Sequence, residues 1–336
     1  MLRVIQTTLL AALLVTAASA STEDYAAARA ELIAAYQAQD FAAMVRAARE
    51  ALQARPGYPG ARFNLALAHV LNDDAEASLG ELERLAADGI DFGVADAEEF
   101  APVRALPGWG RYADKLRALN EPVGDAVVVL QRDDDRFIPE GVAIDADGRV
   151  LLGSIRHGTI VRSDDVLTRR QGHWSVFGMG FHDDGSLWFA SAAVAQLENV
   201  GDDKGKTGLF RLDPATGNIT RAAILPERNG DQLLGDLVID GDLIFATDSL
   251  TGAVYRYDME ADAFAALVPV GTFGSPQGLV IDATGRWLYV ADYIGGLYRV
   301  ALDDGRVEKL VMEGQGSDYG IDGLYRYGDS LIAIQN

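Results

Sequence analysis

The chain has 336 residues, a formal net charge of −21, 36 glycines and no cysteine. That length suggests about two domains, with ample material for a buried core. The acidic balance argues against a surface that grips nucleic acid or anionic membrane through clustered Lys and Arg. The missing thiols exclude disulfides, thiolate zinc sites, iron–sulfur clusters and cysteine nucleophiles.

Residues 1–20 read as an export signal. Met1-Leu2-Arg3 is a short positive start, Leu9 to Val15 is a compact apolar run, and Ala18-Ser19-Ala20 matches the small-x-small cleavage pattern. The mature chain is therefore expected to start at Ser21. The apolar run is too short to span ~30 Å of hydrocarbon, and no later run reaches about 18 uninterrupted apolar residues. The expectation is a bacterial protein exported to the periplasm or medium, with no membrane segment after signal cleavage.

Residues 21–120 are rich in the helix formers Ala, Leu, Glu and Arg. Apolar residues recur at helical spacing over Tyr25 to Ala38 and Phe41 to Ala54, and Arg55-Pro56-Gly57 stops the second helix. Ala61 to Leu71 and Ala75 to Ala87 repeat the theme. Tyr36 and Val70 lie 34 residues apart, the period of tetratricopeptide repeats. Asn64 to Ala68, followed by Asn72-Asp73-Asp74-Ala75, resembles such repeats, with small residues where helices would cross. Phe100 to Trp109 is expected to cap the array with a short helix. His69 falls on an apolar helical face and reads as a packed core residue. The role is structural or docking, with capture of a partner protein on the repeats as the sharper alternative.

Asn120-Glu121-Pro122-Val123-Gly124 is a Pro/Gly linker. Residues 125–336 are then rich in β-formers and in Asp-Gly turns. Five segments align, beginning at Glu140, Phe177, Gly235, Gln277 and Asp322. Each leads through a glycine-containing turn into a second apolar strand: Val150 to Gly153, Leu187 to Ala190, Leu243 to Ala246, Leu288 to Ala291, and Leu331 to Ile334. A third strand often follows, as in Ala253 to Tyr257 and Gly296 to Val300. The starts are 37, 58, 42 and 45 residues apart, a spacing that indicates propeller blades. The long interval carries a polar insertion, Gln196 to Thr207. The fold class is thus multidomain, α plus all-β: helical hairpins, then a propeller of the six-bladed type. About four to five blades are present, and the reading expects an incomplete ring. Asp125 to Leu130 is expected to pair with a late blade.

Several motifs fail on inspection. Gly201 to Thr207 has one residue too few for a phosphate loop and lies in a charged insertion. Gly178-Met179-Gly180 lacks the third glycine and helix of a dinucleotide fingerprint. Asp145-Ala146-Asp147-Gly148 lacks the later ligands of a calcium loop, and no Gly-x-Ser-x-Gly elbow occurs. Asp133-Asp134-Asp135 reads as a solvated loop. His157 and His173 stand after strands or in loops, where a pocket border is conceivable but a plain surface position is the expected one.

In a propeller the innermost strands line one channel, so equivalent positions converge there. Glu140, Gln277 and Asp322 would supply two carboxylates and an amide, an oxygen-only set suited to Ca²⁺ or Mg²⁺. Asp236 stands one residue further along its unit, within reach of a substrate or of the ion's outer ligands. The alternative is that these are polar strand starts solvating a channel mouth.

On these residues the second half resembles the senescence-marker-protein/gluconolactonase (regucalcin-like) family of six-bladed propellers. The resemblance spans about 125–336. It rests on Pro139-Glu140-Gly141, on Pro276-Gln277-Gly278-Leu279 followed by Leu288-Tyr289-Val290-Ala291-Asp292, and on Ile321-Asp322-Gly323-Leu324. It implies a divalent cation, usually Ca²⁺, held by Glu140, Gln277 and Asp322, with Asp322 as candidate general base in hydrolysis of a lactone. Gln277 stands where the family has asparagine. Gly235 stands where members often carry a substrate-contacting asparagine. Two functions follow as expectations: an exported, metal-dependent hydrolase of lactones or related esters, or a non-enzymatic periplasmic binding or scaffold protein using the helical repeats and propeller.

Overall fold

The structure is a computed structural model that describes residues 22–125, 127–163, 165–228, 230–310 and 317–335. The expected export signal lies outside the described residues. Among them no helix is long and apolar enough to cross a membrane. The chain divides into two compact units, a helical one up to Val123 and a strand unit from Gly124.

The helical unit contains α1 (Thr22–Gln37), α2 (Phe41–Ala54), α3 (Pro59–Leu71), α4 (Ala75–Ala87), α5 (Ala101–Arg104) and α6 (Trp109–Leu119). Two of its turns are built alike, 34 residues apart. Gln39 and Asp73 both adopt positive φ, at 55° and 60°. The next residue in each case is an N-cap: Asp40 Oδ1 accepts from the Ala43 amide at 2.9 Å, and Asp74 Oδ1 from the Ala77 amide at 3.0 Å. These caps satisfy amides that the first helical turn leaves without partners. The helices bury small residues such as Ala48, Ala61, Ala66 and Ala68, each fully enclosed. Larger side chains (Met44, Leu82, Leu85 and Phe100) fill the space between them. His69 is buried, as expected, with Nδ1 3.6 Å from Asp74. The capping segment is larger than the single short helix expected, because the α6 stretch adds a second amphipathic helix that buries Tyr112 and Leu116.

The strand unit is β-propeller-like. Four sheets have four strands each, every one an antiparallel meander. They are β1 (Pro139–Ile144), β2 (Val150–Ser154), β3 (Ile160–Arg162) and β4 (Asp165–Thr168); then β5 (Ser175–Phe181), β6 (Leu187–Ala192), β7 (Thr207–Asp213) and β8 (Asn218–Ile224). Next come β9 (Leu234–Asp240), β10 (Leu243–Asp248), β11 (Ala253–Asp258) and β12 (Ala263–Val268); then β13 (Pro276–Ile281), β14 (Trp287–Asp292), β15 (Gly296–Ala301) and β16 (Val307–Lys309). The fifth sheet pairs β17 (Ile321–Tyr327) with β18 (Ser330–Gln335). The innermost strands β1, β5, β9, β13 and β17 lie side by side in chain order. Apolar clusters fill the gaps between consecutive sheets: Leu151 and Ile160 against Phe189 and Phe210, Trp188 and Leu209 against Tyr255 and Tyr257, Phe245 and Val254 against Leu288 and Val290, and Ala291 against Leu324.

One expectation, the pairing of Asp125 to Leu130 with a late blade, needs correction. Residues 127–130 form no strand, and Val127, Val128 and Val129 are exposed. β-Propensity needs a facing sheet edge to act on, and among the described residues this run has none. The outer strands β4, β8 and β16 escape a reading based on apolar runs because they are half-exposed or exposed and carry polar residues, and β12 because it is half alanine, a poor strand former. The insertion after β6 contains a single helical turn at Gly201–Asp203 and runs into strand β7. Lys206 Nζ there binds Asp203 Oδ1 at 2.8 Å rather than shaping a phosphate loop.

Candidate functional site

The inner strands share one irregularity. Each interrupts its pairing with the second strand at the same place: between Pro139 and Val142, Val176 and Met179, opposite Ala246 to Asp248, between Pro276 and Leu279, and between Ile321 and Gly323. A bulge inserts an extra residue and re-aims its side chain. The bulged residues are the aligned set Glu140-Gly141, Phe177-Gly178, Gly235-Asp236, Gln277-Gly278 and Asp322.

Glycine is needed beside the bulge because neighbouring backbones touch there. A Cβ on Gly141 would run into the Phe177 carbonyl. One on Gly278 would strike the Leu324 amide and lie 2.9 Å from the Asp322 carbonyl oxygen. One on Gly178 would lie 2.7 Å from the Asp236 Cα. Asp236 occupies the equivalent position in its own sheet, so a carboxylate stands where the four other inner strands have Gly141, Gly178, Gly278 and Gly323.

The result is a channel of about 580 Å³. Glu140, Asp236, Gln277 and Asp322 all line it, with Phe177, Met179, Leu237, Leu279 and Leu324 as apolar wall. The structure therefore brings the candidate ion and substrate residues Glu140, Asp236, Gln277 and Asp322 to one channel, where Phe177 contributes apolar surface. Tyr325 and Ser249 also line the channel. They were missed, since Tyr325 follows its bulge by three residues and Ser249 lies outside any strand.

The electrostatics are those of crowded carboxylates. Asp236 is half-buried, and burial pushes its carboxyl up to about 7. The Leu237 amide, 3.0 Å from Oδ1, and the Leu279 amide oppose that rise, while Glu140 and Asp322 add to it. Glu140 is exposed at the rim, yet desolvation of its carboxyl raises its pKa and the nearby Asp322 raises it further. Burial, then Asp236 and Asp322, raise the Tyr325 phenol. Gln277 Nε2 donates to Ser275 Oγ at 3.0 Å, so the side-chain carbonyl oxygen is the polar atom that this bond does not use. This oxygen-only, mutually repelling set matches a hard cation in chemistry. Among the described residues, no three His, Cys, Asp or Glu side chains lie close enough together to hold one ion as they stand.

A support layer was also missed. Asp292, at the end of β14, is buried and accepts from the Gly274 and Ser275 amides at 2.8 and 2.7 Å. Asp248 holds the Leu233, Leu250 and Thr251 amides at 3.1–3.2 Å from the end of β10. Ser154 bonds the Phe137 carbonyl from the end of β2. In each case the last side chain of the second strand clamps the backbone entering the inner strand. The shared strand ending, Thr247-Asp248 and Ala291-Asp292, was the available signal.

The two flagged histidines separate. His173 is buried, bonds the Gly158 carbonyl at 2.8 Å and packs against Phe189 and Phe210; burial lowers its pKa to about 4. It is a neutral core residue. His157 borders a cavity apart from the channel.

No family model matches this chain, and no curated protein matches it. Among solved structures it is similar to a chain of a nidogen/laminin complex, at 18% identity and a TM-score of 0.45, over 60% of this chain and 73% of that one. It is also similar to the extracellular domain of a protein described as a one-component system from B. thetaiotaomicron. That match has 13% identity and a TM-score of 0.46, over 59% of this chain and 26% of the other.

Proposed function

We propose that the chain is an exported hydrolase of lactones or related esters that works with a divalent cation of the Ca²⁺ type. The observation that carries this reading is the shared bulge, which turns Glu140, Gln277 and Asp322 into one channel together with Asp236. The resemblance of Pro139-Glu140-Gly141 and Ile321-Asp322-Gly323 to the gluconolactonase pattern supports the same reaction. The Glu140 and Asp322 carboxylates and the Gln277 carbonyl would hold the ion. When bound, it would polarise the substrate carbonyl and offset the developing oxyanion. Asp322 takes the proton of the attacking water. Phe177, Met179 and Leu279 exclude bulk water from the substrate's apolar part. Asp236, whose carboxyl burial raises to about 7, would be the group that donates to the leaving oxygen.

The test is a panel of sugar lactones and aryl esters with Ca²⁺ and with chelator. The expected result is hydrolysis that chelator abolishes and that Asp322→Ala lowers by about 10²-fold or more. A metal-loaded, folded protein with no activity on the panel, or one indifferent to Asp322→Ala, would overturn the proposal.

The 34-residue repeat of αL turn and Asp cap favours a second reading, a periplasmic scaffold that captures a protein partner on its helices. Pull-down from periplasm distinguishes it: a partner lost on altering residues 21–120, with no hydrolysis, supports the scaffold.

A further inference from the structure

The strand unit contains a second cavity, of about 500 Å³, between the segment entering β1, the β2–β3 and β6–β7 connections and the end of β4. Its charge runs against that of the chain. Arg132, Arg169 and Arg170 line it, facing Asp134 and Glu198.

Both carboxylates are already engaged. Asp134 accepts from the Arg136 amide at 3.1 Å and lies 3.2 Å from His157 Nε2. Glu198 is 3.2 Å from Arg156 Nε and 3.4 Å from His157 Nδ1. The arginines are not balanced in return. Arg170 donates to the Glu198 backbone carbonyl at 2.7 Å, not to a carboxylate. The Arg169 guanidinium makes no hydrogen bond or ion pair among the described residues, its backbone carbonyl alone accepting from Thr168 Oγ1 at 3.1 Å. Arg132 lies over the Phe137 ring at 4.9 Å, and its Nε is buried with no acceptor. A buried guanidinium donor without an acceptor is a gap that an incoming oxyanion fills, since planar N–H pairs match carboxylate and phosphate oxygens. Phe137, Val161 and Val166 give the same cavity an apolar wall.

We propose that this cavity binds a small organic oxyanion, with its carboxylate or phosphate head on Arg132 and Arg169 and its apolar body against Phe137 and Val161. The site is separate from the channel, and its occupancy does not depend on hydrolysis there. Nucleic acid is disfavoured as the source of the anion by the net charge of −21 around this one basic pocket.

Calorimetry on the whole protein tests this with phenyl phosphate, phenylacetate, inorganic phosphate and uncharged benzyl alcohol. The expected result is saturable binding of an aryl oxyanion below about 1 mM, weakened about tenfold or more in Arg132→Gln and in Arg169→Gln. The Glu140→Gln variant should bind as the original does. A preference for phenyl phosphate assigns phosphate esters, and a preference for phenylacetate assigns organic acids. Arg169 is exposed, so its variant keeps the test valid if Arg132→Gln does not fold; a thermal melt checks both. No saturable binding of any anion up to about 10 mM, binding unchanged in folded Arg169→Gln, or equal binding of benzyl alcohol would each overturn the proposal.

Discussion

The two units of this protein both repeat, but repetition does different work in each. In the helical unit, equivalent positions are spent on local closure: Gln39 and Asp73 turn the chain, and Asp40 and Asp74 cap the next helix. In the strand unit, equivalent positions meet. The bulges of β1, β9, β13 and β17 deliver Glu140, Asp236, Gln277 and Asp322 to one channel. Stacked repeats keep equivalent side chains a repeat apart, whereas repeats arranged around an axis bring them within electrostatic range. That is why, on top of burial, charges from other sheets raise the carboxyls of Glu140 and Asp236, while the cap residues act at their own turns.

The contrast breaks most sharply at the clamps. Asp292→Ala removes a buried carboxylate and leaves the Gly274 and Ser275 amides without their acceptor, and should cost about 3–5 kcal/mol, read as a lower denaturation midpoint. A loss below about 1 kcal/mol would show that the inner strands are not held from the second strands. Gly278→Ala should cost about 2–3 kcal/mol, because its Cβ meets backbone of β17 that cannot swing away. It should also weaken any Ca²⁺-dependent stabilisation, since Gln277 is its neighbour.

Asp236→Asn should change stability in the opposite direction. With the folded pKa raised to about 7 against 3.8 unfolded, the folded state holds the extra proton between those values. Stability therefore falls as pH rises through that window and is flat above it. Removing the carboxyl should stabilise the protein at pH 8 by on the order of 1–3 kcal/mol and leave it nearly unchanged at pH 4. Thermal melts across pH check the sign, and a destabilised Asp236→Asn at pH 8 would mean that the carboxylates are compensated in the channel. The smallest effect belongs to the helices. Asp40→Ala and Asp74→Ala should each cost about 1 kcal/mol in the denaturation midpoint, with no change in the channel's response to Ca²⁺.

Much of this architecture was legible in the residues. The helix boundaries at Phe41, Ala54, Ala75 and Ala87 match the apolar periodicity and the Pro/Gly stops. The aligned starts from Glu140 to Asp322 fall on the inner strands because apolar runs and Asp-Gly turns are local signals. What escaped depends on neighbours distant in sequence. Most outer strands are too polar to stand out, the valines at 127–129 had β character but no edge to join, and the Leu233, Gly274 and Ser275 amides that Asp248 and Asp292 hold lie 15 to 18 residues upstream.

Composition and local pattern by themselves determined the two-part plan, the 34-residue helical turn and the five-fold recurrence of the inner strand. They also set the acidity of the channel, since Glu140, Asp236 and Asp322 can be read directly. Only the tertiary structure decided that these groups share one space, that Asp236 sits where its neighbours need glycine, and that Arg132 and Arg169 border a pocket without acidic partners. Backbone propensity acts over a few residues, but charge, burial and steric contact are set by whichever strands the fold lays side by side.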